Sequence, residues 1–113
     1  MKDINEKLQY KGKEYTLVFN LNVLEKIQEE YGSIDKWGEL TESEEPDIKA
    51  VIFGFEEMIN EGIEIANDEN GTDEPLLTHK QVGRIITDIG IKNATETVKK
   101  TVVESTQSET KNS

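Results

Sequence analysis

Cysteine is absent from all 113 residues, which excludes disulfides, thiolate zinc sites and cysteine nucleophiles. No apolar run approaches the roughly 20 residues that span a bilayer. The opening MKDINEKLQY has no signal-peptide apolar core, so the expected compartment is the cytoplasm, away from membranes. Cationic side chains are scarce too. Arg84 is the sole arginine beside twelve lysines, and the net charge is −11. Between Thr41 and Leu77 twelve acids face Lys49 alone, so this stretch holds the whole excess. Nucleic-acid binding needs a cationic footprint, and an anionic membrane surface would repel such a chain. The acidic middle reads either as a solvated surface that keeps the protein dispersed or as a lure for a basic partner.

What is present is helical periodicity. In Pro46 to Gly62, apolar residues fall at Ile48, Val51, Ile52, Phe55, Met58 and Ile59, the spacing of an amphipathic helix. Pro46 and Asp47 suit its first turn and Gly62 its stop. Phe53 lies off the main stripe and widens the apolar face, so this is read as the central core helix, packed on two sides. At 113 residues the chain forms one domain, able to bury roughly two thirds of its unfolded surface.

Around that helix the pattern predicts a mainly α, α+β fold, with an N-terminal β-hairpin followed by a bundle of about four to five short helices. Leu8 to Tyr10 and Tyr15 to Phe19 are β-rich runs around a Gly12 turn, with Tyr15, Leu17 and Phe19 on one face. Asn20 caps a helix carrying Leu21, Leu24, Ile27 and Tyr31, broadened by Val23 and stopped at Gly32. Ser33 to Leu40 is a short helix that Trp37 pins to the body. Ile63 to Leu77 reads as a fraying helix end and a mobile loop. Thr78 to Gln81 forms a capping box opening a helix with Val82, Ile85, Ile86 and Ile89, stopped at Gly90. Asn93 caps a last helix carrying Ala94, Val98 and Val102. The domain is expected over residues 1–104, with 105–113 a disordered polar tail.

No catalytic, cofactor or metal residue emerges, and the chain is not expected to be an enzyme. With Gly71 at the glycine position of an EF-hand loop, Ala66 and Leu77 occupy positions that need carboxylates, so the calcium motif fails. His79, the only histidine, reads as a solvent-facing capping-box residue. No glycine cluster forms a phosphate cradle. Three large apolar side chains remain as partner-binding candidates: Tyr31 at a helix end, Trp37 on the short helix and Phe53 off the core stripe. Each is either core or part of a docking patch, and joint exposure would favour a patch.

The order of features adds a resemblance. Tyr-x-Leu-x-Phe-Asn-Leu-Asn (Tyr15 to Asn22) runs into a helix ending Glu-Glu-Tyr-Gly-Ser (Glu29 to Ser33). A central helix follows, then Leu-Leu-Thr-His-Lys-Gln-Val-Gly (Leu76 to Gly83) and a helix ending Asp88-Ile89-Gly90. Over residues 8–103 this resembles the tail assembly chaperones of long-tailed bacteriophages and prophages of Gram-positive bacteria. The resemblance implies a helical, non-enzymatic host-cytoplasmic protein. It would bind the tape measure protein, keep it soluble while tail tube subunits assemble, and self-associate. The alternative, from charge alone, is a small acidic inhibitor or adaptor that mimics nucleic acid and binds a basic protein site. That alternative requires carboxylates in a rigid, phosphate-like row.

Overall fold

The computed structural model describes the backbone of residues 4–111 and the side chains of residues 6–104. An antiparallel hairpin, β1 (Ile4–Tyr10) and β2 (Lys13–Phe19), precedes five helices. These are α1 (Leu21–Tyr31), α2 (Ile34–Glu42), α3 (Ile48–Asn70), α4 (His79–Ile89) and α5 (Ile91–Lys111). Lys11 (φ 49°) and Gly12 (φ 78°) form a two-residue turn with both torsions positive, matching the right-handed twist of the strands. Tyr10 therefore pairs with Lys13 and Leu8 with Tyr15, and the ladder ends at Ile4 and Phe19. Leu17, Val18 and Phe19 are all buried, so both faces of this strand end are covered, not one.

The hairpin survives because α3 lies along it. Alternation from the turn leaves Thr16 in a non-hydrogen-bonded pair, so its carbonyl points outward from the free edge of β2. Gly62 meets that carbonyl, and a Cβ there would collide with it. The helix thus shields an edge that would otherwise invite another strand. Gly62 is a point of close approach in mid-helix and not the stop that its spacing suggests.

α3 runs about two turns past Gly62, to Asn70. Asp47, not Pro46, caps its start, accepting from the Ala50 N–H at 3.0 Å. Gly71, in the left-handed conformation that glycine adopts at least cost, caps its end. The segment after it is tied down rather than loose. Asn60 Nδ2 donates to the Leu77 carbonyl at 3.0 Å, and Asn60 Oδ1 accepts from the Leu77 N–H at 2.8 Å. Asn67 holds the backbone N–H and carbonyl of Glu74 in the same way, at 3.0 and 2.9 Å. Two amide side chains thus act as strand partners for an extended strap, and this replaces the mobile loop expected there.

Other boundaries follow local capping. Asn20 accepts from the Val23 N–H at 3.2 Å, Ser33 from that of Lys36 at 3.1 Å, and the Thr78–Gln81 capping box is complete. α5 begins at Ile91, not after Asn93, because the Gly90 carbonyl already accepts from the Ala94 N–H. Asn93 instead donates to the Ile89 carbonyl at 2.7 Å. The helical backbone of α5 extends over residues 105–111 of the segment read as a polar tail. Side chains from 105 onward and residues 112–113 lie outside the described residues.

Val51, Phe55, Met58 and Ile59 of α3 are fully buried against Leu17, Phe19, Val23, Ile27, Val82 and Val98. Burying each such side chain contributes roughly 1.5–3 kcal/mol relative to exposure. On α1 the buried line is Val23 and Ile27, and Leu21 is 67% exposed, so the inward stripe is rotated from the one centred on Leu21.

Candidate partner-binding groove

Trp37 is 3% exposed, with its indole N–H donating to the Ala50 carbonyl at 3.0 Å. Its ring lies where a Cβ on Gly54 would stand, so α2 is locked onto α3 through an indole seated over a glycine. Tyr31 and Phe53 meet elsewhere, edge to face with ring centroids 5.4 Å apart and planes at 75°. Both are half-buried. Burial, then the nearby Asp47 and Glu30 charges, raises the Tyr31 phenol above its usual pKa. Its hydroxyl is screened from solvent, without a hydrogen-bond partner among the described residues. The three candidates thus do not form one patch: Tyr31 and Phe53 pack together, and Trp37 belongs to the core.

One edge of Trp37 nevertheless reaches a surface groove of about 490 Å³ between α2 and α5. Ile34, Trp37, Gly38, Thr41 and Val102 line it, with Asp35, Glu39 and Glu42 on the α2 side and Lys99 and Val103 on the α5 side. A second hollow of about 400 Å³ adjoins it through Thr41, Glu42 and Lys99, and continues past Pro46 to Ile91, Thr95 and Glu96. Together they follow α5 from Ile91 to Val103, about 18 Å at 1.5 Å per residue. Lys99 and Glu42 form an ion pair of 3.6 Å at the junction. Both side chains are exposed, and such a pair is worth about 0–1 kcal/mol, so an incoming segment can open it.

The groove was not legible from the apolar pattern, because its walls come from helices fifty residues apart. One sequence signal could have pointed to it: Gly38 falls inside a helix where no turn is needed.

A third hollow, of about 230 Å³, is polar and lined by Glu25, Lys26, Glu57, Glu61 and Glu64 with Asn22 and Asn60. Burial, then Glu56, raises the Glu57 pKa, and Lys26 offsets part of this. Glu61 already accepts from Asn20 Nδ2 at 2.6 Å and Asn22 Nδ2 at 3.1 Å. His79 Nδ1 lies 2.9 Å from Glu56 Oε1, tying the start of α4 to α3. Asp68 to Asn70 end α3, and Gly71 caps it. Among the described residues no group of three or more acidic, histidine or cysteine side chains is placed to hold a metal ion. None of the described helices is long and apolar enough to cross a membrane.

The fold is an α+β domain with a surface groove between α2 and α5. No family model matches the chain, and neither curated proteins nor solved structures provide a match.

Proposed function

We propose that this protein is a non-enzymatic assembly chaperone of the phage tail type, acting in the host cytoplasm to bind the tape measure protein and keep it soluble. The resemblance in feature order suggests the class. The α2–α5 groove is the observation that carries it, since a long surface trough with apolar residues in its lining is what an amphipathic client helix needs. Carboxylates on its rim give the complex a repulsive exterior that opposes aggregation. The tail tube protein is a second partner of the same assembly, and self-association belongs to the same reading.

The acidic-mimic alternative is less favoured by the disposition of the carboxylates. Glu42 pairs with Lys99, Glu56 with His79, Glu61 with two asparagines and Glu74 with Lys13, so several acids are already engaged on different elements.

Co-expression with a tape measure protein from the same genome tests the proposal. The expected result is a soluble, co-purifying complex in place of aggregated client, unaffected by His79→Ala. Unchanged aggregation and no complex would overturn it.

A further inference from the structure

Two glycines inside helices stand over open space, Gly38 of α2 and Gly83 of α4, and of the two it is Gly38 that lines the α2–α5 groove. Gly38 sits inside α2 with helical torsions, and a Cβ there would meet nothing within 4 Å. Glycine inside a helix costs roughly 0.5–1 kcal/mol relative to alanine. Gly54 and Gly62 offset that cost by admitting Trp37 and Thr16, but among the described residues nothing occupies the space over Gly38. That space is the groove.

We infer that the α2–α5 groove seats a cationic amphipathic helix, with Gly38 as the position where the guest approaches α2 most closely. The inference rests on the chaperone reading and specifies its client chemistry. Ile34 and the edge of Trp37 meet the guest's apolar stripe. Asp35, Glu39 and Glu42 line the groove beside them, and Glu44 extends the acidic side into the adjoining hollow. Lysines or arginines flanking an apolar stripe satisfy such a rim. A second copy of this chain, at a net charge of −11, would bring more acid against it. The missing side chain at position 38 lets the two helices pack more closely than any other residue would allow, as small residues do where helices cross.

The probe is a fluorescein-labelled synthetic 18-residue peptide with leucines at helical i, i+3, i+4, i+7 spacing and lysines elsewhere. Its counterpart carries glutamates in place of the lysines. Anisotropy with the full chain at physiological salt is expected to show saturable binding of the first peptide and none of the second. Gly38→Leu, whose Cβ would meet nothing within 4 Å among the described residues, is expected to weaken binding at least tenfold. Glu39→Lys with Glu42→Lys weakens it comparably. Glu64→Lys with Glu69→Lys, an equal change of charge on α3, leaves it within twofold. Circular dichroism confirms that each variant is folded.

Equal losses from both charge-reversed pairs, or full binding by folded Gly38→Leu, would overturn the inference. So would failure of the cationic peptide to bind. The chaperone reading is judged separately by co-expression. If wild type and Gly38→Leu solubilise the tape measure protein equally, that reading stands and the groove assignment falls.

Discussion

Gly62 of α3 lies against the carbonyl oxygen of Thr16 on β2, with no room for a side chain between them. Helix and hairpin edge are therefore held in one relative position by backbone-to-backbone contact. Gly62→Ala is expected to destabilise the fold by about 1–3 kcal/mol, because the obstacle is backbone and cannot rotate away. Urea denaturation measures this. A variant as stable as wild type would show that the contact does not constrain the fold.

The indole of Trp37 is the corresponding lock between α2 and α3. Trp37→Ala forfeits its burial, opens a cavity over Gly54 and removes the indole hydrogen bond to the Ala50 carbonyl, at an expected cost of about 3–5 kcal/mol. In the wild type this sole tryptophan is buried, so its fluorescence emission should move to longer wavelength with the main unfolding transition. A separate early transition would mean that α2 detaches by itself.

Asn60 makes two hydrogen bonds to the backbone of Leu77. Asn60→Ala should release that end of the strap, lowering stability by about 1–3 kcal/mol. Hydrogen exchange at the Leu77 amide should accelerate well beyond that at core amides of α3. Uniform acceleration would assign Asn60 a role in global stability only.

Glu57 supplies the pH dependence. Burial first, then Glu56, holds its folded pKa above the ordinary glutamate value of 4.5. As pH rises from that value toward the folded one, native Glu57 keeps a proton that the unfolded chain has lost, so stability falls through this window. Glu57→Gln removes the fall. Its unfolding temperature should match wild type below pH 4.5 and exceed it at pH 7, by about 1–3 °C given partial solvent screening. Equal pH profiles for the two proteins would contradict the assignment.

Legibility followed the range of the interactions. Asn20, Ser33, Thr78 and Gly32 announced their caps because a cap is completed within about four residues. The Lys11-Gly12 turn is local for the same reason. The course of the chain after Gly62 escaped because its partners lie farther off. Asn60 read as a polar position of the core helix and Asn67 as part of its fraying end, yet each gives its amide to backbone seventeen or seven residues away. Gly90 was read correctly as a stop but also starts α5, since its N–H closes α4 on the Ile86 carbonyl while its own carbonyl accepts from the Ala94 N–H.

The partner-binding candidates were visible as large side chains, Tyr31 and Trp37 on the apolar lines of their helices and Phe53 off the core stripe. Their division between a core lock and a separate ring pair depends on how α1 and α2 cross α3. Of the groove's acids, Glu42 and Glu44 were in view within the acidic stretch, without the opposing α5 wall that makes them part of one surface.

By itself the sequence determined the mainly helical class with an N-terminal hairpin, the central helix, most caps and the uneven acidity. These follow from side-chain period, capping chemistry and charge, all properties of neighbouring residues. Tertiary structure alone decided that α3 shields the β2 edge at Gly62, that Trp37 closes over Gly54, and that α2 and α5 leave a groove at Gly38. Each depends on packing between residues distant in the chain, where one missing side chain sets how closely two elements approach.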